Sequence, residues 1–175
     1  LDELARRVRQ AAGDRHVHLI LESDDTMWVR LMRDAAYNPL LSTAQWNHDC
    51  KHLASLGLTS GRTVEEDRRD TELLGHALIE GFTSQPPKHV VGPVATELPA
   101  HLPPLSFIAF LQTHDLVGNR IRGERISQFA TPAILRALAT IYLLAPQIPM
   151  LFMGEEWAAS NPFPFFCEFS GELAD

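Results

Sequence analysis

The chain has 175 residues, 45% of them hydrophobic, and a formal net charge of -7 at pH 7. This length supports one domain with a real core, but a complete eight-stranded α/β barrel typically needs about 250 residues. The negative charge and the scattered arginines argue against nucleic acid as a partner, because phosphate binding needs clustered Lys and Arg.

Membrane and metal partners are also disfavoured. The longest apolar stretch, residues 134–152, is interrupted by Arg136, Pro146 and Pro149, so no membrane span is predicted. The two cysteines, Cys50 and Cys167, lie far apart without metal-ligand spacing. We therefore expect reduced thiols in a cytoplasmic protein, with a disulfide between them as the alternative.

Helices and strands alternate along the chain. Helices are predicted at residues 1–12, 27–35, 51–58, 70–82 and 132–144. Strands are predicted at residues 16–21, 39–46, 105–111 and 149–153. Residues 83–104 contain six prolines and predict an irregular excursion. The alternation implies parallel strands with helical crossovers, and no Gly-rich phosphate loop is present. The predicted fold class is α/β, as a partial (β/α)8 TIM barrel.

Polar residues follow the apolar strands at their carboxyl ends. Glu22 comes directly after the first strand, and the pair His114-Asp115 follows the third. The carboxyl ends of parallel strands form the catalytic face of such barrels, so Glu22 and Asp115 could converge on one pocket. Two carboxylates at one pocket favour sugar chemistry.

Retaining glycosidases use one carboxyl group as general acid and a second as nucleophile, about 5–5.5 Å apart. Partial burial after an apolar strand would keep Glu22 protonated, as a general acid requires. The alternative is a helix-capping network of Ser23, Asp24 and Asp25 with Glu22 merely nearby. Asp115 could stabilise positive charge on a sugar ring. A metal site or half of a hydrolase triad is the alternative there, although no Gly-x-Ser-x-Gly elbow is present.

Aromatic and histidine side chains offer weaker signals. Faces that could stack on glucose rings are supplied by Trp46, Trp157 and residues 163–166, although core packing is the more usual role of any single aromatic residue. His48, Asp49 and His52 lack the third ligand and supporting Glu of a zinc site. We therefore predict no metal and no cofactor.

Four motifs resemble one family in order along the chain. They are Ala-Gln-Trp-Asn-His-Asp at 44–49, Gln-Thr-His-Asp-Leu-Val-Gly-Asn-Arg at 112–120, Gly-Glu-Arg at 123–125, and Pro-Met-Leu-Phe-Met-Gly-Glu-Glu-Trp at 149–157. Together with Leu-Ile-Leu-Glu at 19–22, they are similar to the signature of the maltooligosyltrehalose trehalohydrolases, a subgroup of the α-amylase superfamily.

The resemblance implies a (β/α)8 barrel with extra domains at both ends. It also implies retaining hydrolysis of the α-1,4 bond next to the trehalose end of maltooligosyl trehalose, or of a related α-glucan. By this resemblance Glu22 is the general acid/base, Asp115 the third carboxylate and His114 its substrate-binding neighbour. The further substrate-binding residues that it implies are Gln45, Trp46, Asp49, Asn119, Arg120 and Glu155.

The chain departs from the family pattern in several places. The family's nucleophilic Asp lies on the strand before Glu22, and no matching residue occurs here. The chain opens on Leu1 inside a helical pattern, which predicts a cut piece holding strands five to eight as one partial domain, residues 1–175. The substituted motif positions are His48, Lys51, Thr113 and Leu116. Residues 59–65 also differ from the family pattern.

Two other functions stay open. One is a non-catalytic, glucan-binding remnant of an α-amylase-type barrel, and the other is an amylase-type enzyme with a different substrate preference. A half-barrel also exposes two strand edges, which invites aggregation or pairing with another half, so the oligomeric state is open.

Overall fold

The computed structural model describes residues 1–23, 25–50, 63–83, 102–118 and 120–164. Four α-helices lie in these ranges: α1 (Asp2–Ala12), α2 (Val64–Glu80), α3 (His114–Gly118) and α4 (Pro132–Leu144). The strands are β1 (Ile20–Leu21), β2 (Ala44–Trp46), β3 (Phe107–Phe110) and β4 (Ile148–Met150). None of the helices in the described ranges is long and apolar enough to cross a membrane.

The four strands form one parallel sheet in the order β1-β2-β3-β4. Ile20 pairs with Ala44, Gln45 with Phe107, and Ile108 with Ile148. Sequential parallel strands joined by helical segments are the arrangement of a (β/α)8 barrel. The predicted α/β class, a partial barrel, is confirmed.

The paired strands are much shorter than the apolar runs that predicted them. The first prediction, residues 16–21, retains only the pair Ile20–Leu21, and residues 39–46 retain only Ala44–Trp46. The predicted helix at 27–35 is wrong and is replaced by a 3-10 turn at Trp28–Leu31. An apolar run indicates that a segment is buried, but it does not indicate where hydrogen bonding between the strands ends. The predicted helix at 51–58 and most of the excursion at 83–104 lie outside the described residues.

The helix predictions differ in accuracy. Helix α4 has the predicted bounds because Thr131 caps it by accepting from the Ile134 N–H, and Pro132 follows as its first residue. Helix α2 begins six residues earlier than predicted, at Val64, because Thr63 and Glu66 form a reciprocal capping box. The Thr63–Glu66 pattern is present in the sequence. It was missed because the polar residues that follow it form no apolar stripe.

Strand β3 is the centre of the core. All four of its residues are buried. Ile108 and Phe110 pack on one face of the sheet, whereas Phe107 and Ala109 face clusters on the other. Burial on both faces is typical of a parallel strand covered by helices.

A buried amide pair ties α2 to the sheet. Asn47, which is fully buried after β2, donates from Nδ2 to the backbone oxygens of Ala77 and Gly81 and to Gln147 Oε1 at 3.2 Å. Gln147 donates to the backbone oxygens of Ala77 and Leu78. These amides satisfy carbonyl groups at the end of α2 that water does not reach.

We expect Asn47→Ala to lower the free energy of unfolding by about 1–3 kcal/mol, because it leaves buried carbonyl oxygens without donors. Urea denaturation measures this change. The matched control is Asn38→Ala, which removes an exposed amide hydrogen bond to Asp34 and should change stability by less than about 0.5 kcal/mol. Equal effects of the two substitutions would contradict the structural role of Asn47.

The thiol of Cys50 provides a second test of the core. Burial, reinforced by the charge of Asp49, raises the pKa of Cys50 to about 12. In a Cys167→Ser background, we expect alkylation at about pH 8 to be negligible in the folded chain and rapid in urea. Because the unfolded thiol ionises near 9.0, this group lowers folded stability as the pH rises from about 9 to about 12. Rapid labelling without denaturant would contradict the packing of Cys50.

Candidate active site

The carboxyl ends of β1 and β3 meet through a contact between Glu22 and His114. Glu22 directly follows β1, and His114 is the first residue of α3, after β3. The distance between His114 Nε2 and Glu22 Oε1 is 3.4 Å. The structure therefore brings together groups from two strands that are separated by β2.

Glu22 is more exposed than its apolar strand led us to expect. Its side chain keeps 53% of its accessible area, compared with 33% for His114. Part of the alternative network exists, because the Asp25 N–H donates to Ser23 Oγ at 3.2 Å. The Glu22 carboxylate, however, contacts His114, and the exposed half of its side chain is accessible to a ligand at the strand ends.

Asp115 is held in its ionised form beside His114. Burial acts to raise the pKa of Asp115, but hydrogen bonds from the Thr113 hydroxyl and the Leu116 N–H, with the nearby His114, bring it below its ordinary value. Both donors reach the same oxygen, Oδ1, and the Leu116 N–H does so at 2.8 Å. Thr113, one of the departures from the family pattern, therefore supplies a bond that stabilises the charge of Asp115.

Trp46, the last residue of β2, packs among aromatic rings beside His114. Its ring centroid is 5.9 Å from that of His114, 5.4 Å from Phe110 and 6.2 Å from His48. The half-buried indole thus forms part of the floor at the carboxyl end of β2. The departures His48 and Leu116 both pack beside Phe110 in this cluster. Lys51 lies outside the described residues.

Gln45 holds the loop that carries Glu22. Its buried side chain accepts from the Met27 N–H at 3.0 Å. Its Nε2 donates to the backbone oxygens of Ser23 and Asp25, at 3.0 and 2.7 Å. Three hydrogen bonds from one amide fix the exit from β1. Substrate binding by Gln45 stays a prediction, and the contacts present give it a positioning role.

Asp49 has a similar internal partner. Its Oδ2 accepts from both the N–H and the hydroxyl of Thr83, at 2.7 and 2.9 Å. Thr83 follows the end of α2, so this carboxylate joins the loop after β2 to the loop after α2. Contact between Asp49 and a substrate also stays a prediction.

The remaining predicted substrate-binding residues follow β3 and β4. The Arg120 guanidinium sits 4.1 Å above the ring of Phe129. Burial raises the pKa of Glu155, and hydrogen bonds from the Phe152 N–H and the Tyr142 hydroxyl offset this only in part. Asn119 lies outside the described residues.

The Gly-Glu-Arg motif has a structural explanation that the sequence alone did not provide. Gly123, at φ 64, accepts from the Phe163 N–H at 3.0 Å, and a β-carbon there would lie 2.7 Å from the Phe163 oxygen. The buried Arg125 donates to the backbone oxygens of Met153 and Asn161, both at 2.7 Å. The motif therefore fastens the loop after β4 to the loop after α3. The close approach at Gly123 explains why glycine is required.

Metal ligands are not clustered in the described ranges. There, no group of three or more His, Cys, Asp or Glu side chains is arranged to hold a metal ion. The contacts of His48 are instead with aromatic rings.

Comparison with known proteins gives consistent relatives. No protein-family model matches the chain. A malto-oligosyltrehalose trehalohydrolase of Arthrobacter ramosus is 38% identical over 95% of the chain. Its counterpart in Mycobacterium tuberculosis is 35% identical over the same share. A crystal structure of a candidate alpha amylase from Salmonella typhimurium covers 99% of the chain with a TM-score of 0.78 and 35% identity.

The chain resembles one segment of the malto-oligosyltrehalose trehalohydrolases. It spans 30% of the length of the Arthrobacter and Mycobacterium proteins, and 30% of the Salmonella chain. The resemblance that the strand-end motifs indicated is confirmed. The similar Salmonella structure is that of a candidate alpha amylase.

We expect Gln45→Leu to speed amide hydrogen exchange at Met27 about tenfold, because the acceptor of its N–H is lost. Exchange measured by NMR reports this change residue by residue. The matched control is Gln128→Leu, which removes an exposed amide that donates to the Ser160 oxygen and should leave Met27 unaffected. Unchanged protection of Met27 in Gln45→Leu would contradict the positioning role.

Proposed function

We propose that the chain carries the acid/base part of a retaining glycoside hydrolase site of the malto-oligosyltrehalose trehalohydrolase type. Its substrate is maltooligosyl trehalose or a related α-glucan, and the product is trehalose. The observation that carries the proposal is the 3.4 Å contact between Glu22 and His114, next to an ionised Asp115. The named relatives support the same reaction class.

Glu22 is the general acid/base in this proposal. It protonates the glycosidic oxygen as the bond breaks, and it later accepts a proton from the water that releases the sugar. His114 is adjacent and offers a ring nitrogen for a sugar hydroxyl. The half-exposed carboxylate of Glu22 supports this role because both steps need direct access to the ligand.

Asp115 stabilises the transition state in this proposal. The sugar ring gains positive charge as the bond breaks, and a fixed carboxylate lowers the energy of that charge. The lowered pKa of Asp115 supports the role, since the group is ionised before substrate arrives. Its Oδ1 is anchored by Thr113 and Leu116, so little reorganisation is required.

The nucleophile is the part of the mechanism that these residues do not supply. A retaining enzyme forms a covalent glycosyl intermediate on a second carboxylate. In the resembled family that Asp belongs to the strand before Glu22, and the 175 residues contain no match to its motif. Turnover therefore requires an Asp beyond those present in this sequence.

A non-catalytic role in glucan binding is the second candidate. The rings of Trp46 and His114, which lie close together at the strand ends, favour it. Binding of a maltooligosaccharide, followed by tryptophan fluorescence, tests this candidate without requiring turnover. Saturable binding together with zero hydrolysis in a polypeptide that contains the family's Asp would favour glucan binding over catalysis.

We expect the isolated chain to release no trehalose from maltooligosyl trehalose, measured by chromatography of the products. In a polypeptide that joins this sequence to the family's nucleophilic strand, Glu22→Gln should lower turnover by about 10²–10⁴, the usual contribution of acid–base catalysis. Thermal unfolding should change little, because a partly exposed polar contact contributes at most about 1 kcal/mol.

The matched control for Glu22→Gln is Glu80→Gln. Glu80 also contacts a histidine, with His76 Nδ1 at 3.4 Å from its Oε1, but on the surface of α2. The Glu80→Gln substitution should leave turnover unchanged. Turnover by the isolated chain that Glu22→Gln abolishes would overturn the requirement for an added Asp. Loss of fold in Glu22→Gln would assign the residue a structural role instead.

A further inference from the structure

A cavity lies at the amino ends of the strands, at the end of the sheet opposite the candidate active site. It has a volume of about 540 Å³. Its walls include His18 just before β1, Thr43 just before β2, Leu105 shortly before β3, and Ile148 at the start of β4. Because the strands are parallel, their amino ends lie together, at the end of the sheet away from Glu22 and Asp115.

The lining of this cavity is strongly basic. Its charged or titratable side chains, apart from the phenol of Tyr37, are Arg9, Arg15, His16, His18 and Arg33. Among the described residues, no Asp or Glu belongs to the lining, although the chain as a whole carries a net charge of -7. Concentration of cationic groups against the overall charge indicates attraction of an anion.

Arg33 is the most constrained of these groups. Its Nη2 donates to the backbone oxygen of Thr43 and to Ser106 Oγ, both neutral acceptors. Its Nε is buried and has no hydrogen-bond partner in residues 1–23, 25–50, 63–83, 102–118 and 120–164. Burial lowers the pKa of Arg33, and the positive charge of Arg9 lowers it further. The guanidinium thus stands beside another cation, and no carboxylate in the described part of the chain forms an ion pair with it.

Arg9 and Arg15 are also held by neutral groups. Arg9 donates twice to the Leu41 oxygen, from Nε at 2.9 Å and from Nη2 at 2.6 Å. Arg15 donates to the oxygens of Ala12 and Ala11, both at 3.2 Å. Carbonyl oxygens fix the position of a guanidinium but do not cancel its charge. Other arginines nearby do have acidic partners, since Glu3 and Asp2 pair with Arg6, Arg7 and Arg30.

The acidic residue next to Arg33 is occupied within its own turn. Asp34 accepts from the N–H groups of Ala36 and Asn38, each at 2.8 Å, and from Asn38 Nδ2 at 3.1 Å. These bonds lower the pKa of Asp34, so the charge is stabilised inside the turn. Asp34 does not belong to the cavity lining, whereas Tyr37 and Asn38 of the same turn do.

We propose that this cavity binds the phosphate group of a small phosphorylated sugar. Guanidinium groups suit phosphate because their planar forks donate two parallel hydrogen bonds. The volume lies within the range of about 300–1,000 Å³ that is usual for small-molecule sites. Tyr37, Pro39, Pro103 and Leu105 supply apolar surface for the sugar portion. Inorganic phosphate shares the recognised chemistry and is the other source of the ligand.

The test is calorimetric titration of the chain with glucose 6-phosphate, inorganic phosphate and glucose. We expect both phosphates to bind and glucose not to bind. Tighter binding of glucose 6-phosphate supports the sugar phosphate as ligand, and equal affinities support inorganic phosphate at the same site. Absence of binding by both phosphates at millimolar concentration overturns the proposal, as does equal binding of glucose.

Arg15→Gln is the variant of choice, because Arg15 is exposed and its loss should leave the fold intact by circular dichroism. We expect the affinity for both phosphates to fall about tenfold, as for loss of one charge-assisted hydrogen bond. The matched control is Arg7→Gln. Arg7 lies in α1, outside the cavity, and its substitution also removes one positive charge. An equal loss in Arg7→Gln would overturn the proposal, since the attraction would then be non-specific.

Salt dependence gives a second readout that needs no variant. An electrostatic site should weaken as ionic strength rises, because the attraction is screened beyond about 10 Å at 0.1 M salt. Affinity independent of salt would overturn recognition through the arginines.

Discussion

The shortness of the strands is the constraint on which the rest of the structure depends. Each strand pairs through only two to four residues, so the chain leaves the ladder while its backbone is still buried. Buried N–H and C=O groups without hydrogen-bond partners lower the stability of the fold. Side chains must therefore supply the hydrogen bonds that a longer strand would have made. The amides that do this lie within β2 (Gln45) or just outside the strands (Asn47, Gln112 and Gln147), and they bond to backbone groups of α2 or of neighbouring loops.

The same constraint changes the meaning of the motifs. Gln45 and Asn47 flank Trp46, and Gln112 comes two residues before His114, so fixing amides stand beside the groups that face a ligand. Sequence reasoning found the motifs and predicted that the ends of β1 and β3 approach each other, as the contact between Glu22 and His114 shows. It did not separate residues that hold loops from residues that contact substrate. Amides and carboxylates serve both purposes, and only the contacts of Gln45, Asp49 and Arg125 distinguish the two.

The fold was more predictable than its details. Alternating helical and apolar segments were enough to predict a parallel sheet, because parallel strands require crossovers. The bounds of α4 followed from a Thr cap and a proline, which act locally. The ends of the strands and the start of α2 were missed. The former depend on neighbours distant in sequence, and the latter depends on the Thr63–Glu66 box in a stretch without an apolar stripe.

The register of the sheet also bears on how quickly the chain folds. Ile20 pairs with Ala44, Gln45 with Phe107, and Ile108 with Ile148, so each strand pairing closes a long loop. The entropy of loop closure must be overcome before any of these pairings stabilises the chain, which makes parallel sheets slow to form. Helices with their own capping signals, such as α2 and α4, are formed by local contacts. The apolar residues of β3 are therefore buried only when pairings between residues distant in sequence have closed.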